Sequence, residues 1–201
     1  EALLKSAGNE HFLFNIDNLQ VNAVNHCYEV AFTQDQTEHK IEAEQVISTV
    51  GTYELPFVFP FLNNNHLSAL SNLKYARVVQ AAVGFKKWDG PDLQGFGGLV
   101  PHIENRDILG ALFMSSFLPE RAPSEGQLFA VFIGGIRREE LVQQSDQYLT
   151  EILEKEMKQM FGISKFQPDL LQFKRYQYAI PQYRKKKKKR YDTIKEIQDQ
   201  Y

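Results

Sequence analysis

The sequence is short of the features that announce most chemistries. It has one cysteine, Cys27, among 201 residues. That excludes an internal disulfide and a cysteine-rich metal site, and it fits a reducing compartment. The five histidines, His11, His26, His39, His66 and His102, never fall three or four residues apart, so no helical histidine pair is present to hold a metal. No Gly-x-Ser-x-Gly turn, Walker loop or Gly-x-Gly-x-x-Gly stretch occurs. Nucleophile-elbow hydrolysis, phosphate cradling by a glycine loop and a local dinucleotide fingerprint therefore lack support. No apolar run reaches the about 18 residues of a membrane-spanning helix, and nothing reads as a signal peptide. The net charge of −2 supplies no global field to draw nucleic acid.

What is present is apolar and flat. Hydrophobic residues make up 43% of the chain, enough for the core of one large or two small domains. Fifteen Phe and nine Tyr suit a core or an apolar pocket. The most unusual stretch is Pro91–Pro101, with three glycines in eleven residues and the bulky apolar Phe96 and Leu99 directly beside them. Glycine lets a backbone approach something closely or take positive φ. One reading is a hairpin corner around a buried aromatic. The other is a wall of a pocket for a large flat ligand.

Along the chain, Ala2–Ala7 reads as a helix end stopped by Gly8. Because the chain starts at Glu1 inside that helix end, it is expected to belong to a longer protein. Strand-like runs follow at Phe12–Ile16 with Leu19–Val24, at Cys27–Thr33 and at Ile41–Val50, with a polar turn over Gln34–His39. Val46–Gly51 reads as a β-branched strand running into a turn. Pro56 and Pro60 exclude a central strand, Asn63–Asn65 can cap a helix, and Leu67, Leu70 and Leu73 suit one short helical face. Ala76–Lys86, Gly97–Pro101, Ile108–Ser116 and Leu128–Ile133 form a block of strands whose short connections favour antiparallel pairing. Glu139–Phe161 reads as one long helix with Leu149, Ile152, Leu153, Met157 and Met160 on its buried face. Leu170–Tyr183 is extended, and Tyr191–Tyr201 is helical.

Two charged clusters stand out. Glu104, Arg106 and Asp107 share a polar turn, read as an ion-paired loop, with a carboxylate-binding role for Arg106 as the alternative. The run Arg184, Lys185, Lys186, Lys187, Lys188, Lys189 and Arg190 is read as a solvated loop, with attachment to an anionic membrane surface as the alternative. It lacks the interleaved aromatics of a single-strand nucleic-acid site.

Several phrases occur in a specific order: Val46–Gly51, Gly95–Pro101, Leu109–Phe113, Phe117–Pro123, Phe132–Gly135 and Ala179–Tyr183. Together they resemble the oxygen-dependent, flavin-containing protoporphyrinogen oxidases. The resemblance runs from about residue 12 onward. It implies an α+β fold, with a mixed, mainly antiparallel sheet of a substrate-binding domain, packed helices and a partial FAD-domain β segment. Residues 1–52 would be part of the FAD domain, 53–183 the second half of the substrate domain, and 184–201 the start of the return. It implies FAD contacts at Val21, Thr49, Val50 and Gly51, and a tetrapyrrole pocket lined by Phe96, Leu99, Leu109 and Phe132. No catalytic acid or base and no metal ligand carries over. The family's dinucleotide fingerprint and its propionate-binding arginine have no counterpart here. The chain alone is therefore expected neither to hold FAD well nor to turn over.

The implied activity is oxidation of protoporphyrinogen IX or coproporphyrinogen III in haem biosynthesis, with oxygen as acceptor. Another flavin amine-oxidase or phytoene-desaturase relative is the enzymatic alternative. A non-enzymatic porphyrin- or membrane-binding module is the other. A cytoplasmic location, with membrane contact through residues 184–190, is expected, and homo-oligomerisation is left open.

Overall fold

A computed structural model describes residues 2–8, 11–183 and 187–201. The chain folds as two compact units: Glu1–Leu73 joined by Tyr183–Tyr201, and the continuous stretch Lys74–Gln182. The boundary expected after residue 52 thus moves to Leu73. The reason is local packing, because residues 53–73 form helices that pack within the first unit.

The first unit opens with α1 (Ala2–Ala7) and a three-stranded antiparallel meander, β1 (Ile16–Val24), β2 (Cys27–Gln34) and β3 (Thr37–Ala43). Register runs from Val24 opposite Cys27 to Gln34 opposite Thr37. The second turn is only Asp35–Gln36, both at positive φ, the signature of a tight two-residue hairpin. This corrects the longer turn expected over Gln34–His39 and shifts the third strand earlier. The β-branched run Val46–Val50 is not a strand, and Ile47 is 91% exposed. A strand needs a neighbour to complete its ladder, and no described strand pairs with this segment.

Helices α2 (Leu55–Val58) and α3 (Asn64–Ser71) follow. Asn63 caps α3 by accepting the His66 N–H at 2.9 Å. The closing helix α6 (Lys187–Gln200) packs on α3. Val21, Phe32, Val58, Leu62, Leu70 and Leu73 are buried in this unit. Of the basic run, Arg184, Lys185 and Lys186 lie outside the described residues, and the backbone from Lys187 onward is the first turn of α6.

The second unit is built on a five-stranded antiparallel sheet. Its strands are β4 (Tyr75–Phe85), β5 (Gly97–Leu99), β6 (Ile108–Phe113), β7 (Gln127–Gly134) and β8 (Leu170–Pro181), in the order β5-β6-β7-β4-β8. Between β6 and β7 lies the single turn α4 (Met114–Phe117). Helix α5 (Asp146–Phe161) covers one sheet face. Its Leu149, Ile152, Leu153 and Met157 are buried with Val79, Ala81 and Val83 of β4 and Phe129, Val131 and Ile133 of β7. The long helix expected from Glu139 is broken. A 3-10 turn spans Glu139–Gln143, Gln144 is extended, and Ser145 caps α5 by accepting the Tyr148 N–H at 3.2 Å. Arg175 of β8 donates to the Val142 and Gln144 carbonyls, at 3.2 and 2.7 Å. Those bonds satisfy backbone acceptors that a continuous helix would have used itself. The architecture is α+β, as expected.

Candidate functional site

The sheet of the second unit has a face that α5 does not cover. Antiparallel register defines its rows. Leu99 pairs with Gly110, Gly110 with Phe132, Phe132 with Gln80, and Gln80 with Lys174. In the next row lie Gly97, Leu112, Ala130, Ala82 and Gln172. Residues paired across neighbouring strands share a face. The face therefore combines small residues, Gly110, Ala130 and Ala82, with the larger apolar groups Leu99, Leu112, Leu128, Phe132 and Tyr176, and carries the polar Gln80, Gln172 and Lys174 toward β8.

Close strand approach shapes one side of it. A Cβ added at Gly110 would stand 2.5 Å from the Gly98 carbonyl oxygen and 3.2 Å from Leu99 Cδ2. A Cβ at Gly97, with φ +133°, would stand 2.1 Å from the Ala111 oxygen. Only glycine allows β5 to lie this close to β6. Leu99 consequently leans over Gly110, leaving a shallow floor between it and Phe132.

The four apolar residues expected in one pocket separate into three places. Leu99, 84% exposed, and half-buried Phe132 share the open row. Phe96 lies against Phe117, ring centroids 5.0 Å apart, and is 73% exposed. The hairpin corner with a buried aromatic is thus overturned, since Phe96 stays mostly in solvent beside the Phe117 ring. Leu109 falls at a register shift between Ile108 and Gly110. That irregularity turns it from the row toward Gly135, whose added Cβ would lie 3.1 Å from Leu109 Cδ2.

Leu109 enters a cleft of about 570 Å³ at the end of the sheet, lined also by Arg106, Asp107, Gly134, Arg137 and Arg138. Behind it is a charged network. Arg106 Nε donates to Glu156 Oε2 at 2.7 Å, and the Asp107 N–H reaches Glu156 Oε1 at 3.3 Å. Asp107 also receives Arg138 at 2.7 Å and Lys155 at 2.9 Å. The Asp107 carboxylate, by hydrogen bond and by its charge, pushes the Lys155 ammonium above the ordinary lysine range. The ion-paired reading of the polar turn is therefore the one this structure favours. Arg106 is committed to a carboxylate of its own chain and is not free for a ligand.

Glu156, 2% exposed, went unsignalled in the sequence reading. It lies four residues after Ile152 and three after Leu153, on the buried stripe of α5. A carboxylate on an apolar stripe must find a cation, and Arg106 supplies it.

In the first unit, Val21 is buried within β1 opposite Val30. Thr49 is exposed, and a Cβ at Gly51 would overlap the Tyr53 ring at 2.4 Å. Val50 lines a cleft of about 770 Å³ with Val46, Ile47, Leu55, Phe59 and Ile194. Val21 does not line it. Among the described residues that line it, Glu44 is the only ionisable acid or base apart from two tyrosine phenols. A dinucleotide's diphosphate needs N–H clusters or cations. These residues offer a carboxylate instead and do not fit it. Among the described residues no cluster of His, Cys, Asp and Glu could hold a metal, and no helix is long and apolar enough to cross a membrane.

Comparison with known proteins supplies the family. A model described as flavin containing amine oxidoreductase matches residues 1–192. The chloroplastic protoporphyrinogen oxidase of Nicotiana tabacum is 26% identical over 164 residues, which is 78% of this chain and 30% of that protein. The mitochondrial protoporphyrinogen oxidase of the same plant is 42% identical over 73 residues, 35% of this chain and 14% of that protein. The chain thus spans less than a third of the length of these curated relatives. Among solved structures, a provisional protoporphyrinogen oxidase from Exiguobacterium sp. 255-15 superposes with TM-score 0.70 at 16% identity, covering 92% of this chain and 40% of that one. Putrescine oxidase bound to putrescine gives TM-score 0.67 at 11% identity, covering 89% and 39%. Such low identities speak for the fold alone. With the family model matched across nearly its whole length, the chain belongs to the flavin-containing amine oxidoreductases.

Proposed function

We propose that this chain is the substrate-carrying portion of a flavin-dependent oxidase that converts protoporphyrinogen IX or coproporphyrinogen III to the porphyrin in haem biosynthesis, with oxygen as acceptor. The observation that carries the proposal is the open sheet face, where Leu99, Gly110 and Phe132 lie in one row. A tetrapyrrole is broad, flat and apolar over its rings. A floor of glycine and alanine flanked by leucine and phenylalanine matches that shape, and burying such a surface releases water from both partners. The sequence relatives named protoporphyrinogen oxidase support the same substrate class. FAD belongs to the whole protein in this reading. When bound it would accept the hydride, while the residues described here orient the macrocycle and exclude water.

The amine-oxidase alternative draws on the fold shared with putrescine oxidase. The open row ends instead at Lys174, whose ammonium would repel a substrate ammonium. The test is titration of the purified chain with protoporphyrin IX and with putrescine, followed by porphyrin fluorescence and by calorimetry. Protoporphyrin is expected to bind, and Phe132→Ala to weaken it about tenfold, the loss of one well-packed aromatic contact. Binding of putrescine but not porphyrin would overturn the assignment.

A further inference from the structure

The cleft at the end of the five-stranded sheet holds three guanidiniums, and two are already used. Arg106 is held by Glu156 at 2.7 Å and by Gln159 at 3.2 Å. Arg138 is held by Asp107 at 2.7 Å and by Asn105 at 3.5 Å. Arg137 is exposed and meets no carboxylate or hydrogen-bond acceptor among the described residues. The acids that could neutralise it are engaged or elsewhere. Asp107 takes Arg138 and Lys155, Glu156 takes Arg106, and Glu139 takes Lys74 at 2.8 Å. Glu104 and Glu140 do not line the cleft.

The surroundings of Arg137 are not those of an ordinary solvated arginine. The same cleft is lined by Val100, Ile108, Leu109, Ile136 and Ile180. Its volume of about 570 Å³ falls in the range of small-molecule sites. It also borders the strands that carry the open sheet face. Gly134 both pairs with Val78 in the sheet and lines the cleft, and Leu109 directly precedes Gly110 of the open row. A ligand that suits both surfaces has a flat apolar body and a carboxylate on a short arm at its edge.

We propose that Arg137 binds a peripheral carboxylate of the tetrapyrrole whose rings lie on the open face. This rests on the substrate class proposed above and adds the group that orients the macrocycle by its charged edge. A guanidinium suits the task because its planar donors can meet both carboxylate oxygens at once. Arg106, the arginine singled out by the sequence, acts at one remove by anchoring the turn to α5.

The test compares protoporphyrin IX with its neutral dimethyl ester at one detergent concentration, titrated against the purified chain by fluorescence. The wild-type chain is expected to bind the diacid about tenfold more tightly than the diester, as loss of one charge-assisted contact implies. Arg137→Gln should bring the diacid to the diester's affinity and leave the diester unchanged. Arg137→Lys should recover part of the preference. Because Arg137 is exposed, the Trp88 emission and the melting midpoint of both variants should match wild type, which excludes misfolding as the cause. A diacid preference that survives in Arg137→Gln overturns the proposal. So does a wild-type chain that binds both forms equally, and this result leaves the open-face reading intact. If neither porphyrin binds, the open-face reading itself fails and the role of Arg137 with it.

Discussion

Replacing Glu156 by glutamine tests the charged network behind the sheet-end cleft. The side chain is 2% exposed, and both of its close partners, Arg106 Nε at 2.7 Å and the Asp107 N–H at 3.3 Å, are donors. A carboxylate accepts from both. A glutamine amide offers one acceptor and one donor, so one of the two contacts becomes N–H against N–H. A lost hydrogen bond to a charged group costs about 1.5–3 kcal/mol. Removing one partner of a fully buried pair costs about 3–5 kcal/mol. Arg106 retains 23% exposure, so water relieves part of its penalty. The expected loss for Glu156→Gln is therefore about 2 kcal/mol, and for Glu156→Ala about 3 kcal/mol.

The chain's single tryptophan makes the assay specific. Trp88 lies 5.0 Å from Phe129 and 5.8 Å from Phe161, ring centre to ring centre, inside the second unit. Its emission during urea titration reports that unit alone. With a urea slope of about 2 kcal/mol/M, the Glu156→Gln midpoint should fall by about 1 M. The double change Arg106→Met with Glu156→Leu should recover most of the loss that comes from the charged pair, since it removes both ions together and leaves only the Asp107 N–H without its acceptor. A single variant that melts like wild type, or a double variant whose loss is the sum of the two singles, would refute the reasoning.

Two other outcomes are expected. Gly110→Ala should detach β5 from β6, because the added carbon would stand 2.5 Å from the Gly98 oxygen. Amide exchange should accelerate at Gly97–Leu99 and Leu112 while the α5 core keeps its protection. Retained protection at β5 would show that the close approach tolerates a methyl group. The close ion pair with Lys74 at 2.8 Å, together with the charge of Arg77, holds the Glu139 carboxyl below the ordinary range against the opposing effect of burial. A depressed folded value stabilises above the unfolded pKa, and the contribution is lost as pH falls through the folded one. The midpoint difference between wild type and Glu139→Gln should therefore be present at neutral pH and vanish in acid below about pH 4. A difference that persists in strong acid would locate its cause elsewhere.

Legibility in the sequence followed the range of the interactions involved. The α5 stripe, the Asn63 cap and the apolar middle of β4 depend on near neighbours, and residue spacing predicted each. Val46–Val50 had every local mark of a strand, yet pairing is a property of two segments, and no described segment pairs with it. The break before α5 was hidden because the groups that satisfy it, on Arg175, lie some thirty residues downstream. At the site, the family resemblance placed Leu99 and Phe132 in a single pocket with Phe96 and Leu109. One register shift in β6 and one turn around Phe96 were enough to divide the four, and neither is encoded in residue type. The polar turn was recognised as ionic, but that Arg106 is already taken became visible only with Glu156 on the far helix.

The split construction of the first unit has a consequence for biogenesis. Residues 1–73 leave the ribosome without 183–201, which supply α6, the Phe61–Tyr201 ring contact at 4.9 Å and the acceptor for the Tyr28 hydroxyl. At ~5–20 residues per second, the intervening stretch takes roughly 5 to 20 s to synthesise. Throughout that interval the nascent meander and the short helices α2 and α3 present an unfinished apolar surface, while the unit encoded second can close first. The interval is long against strand and helix formation, so this unit would depend on chaperone shelter during translation far more than the unit encoded second.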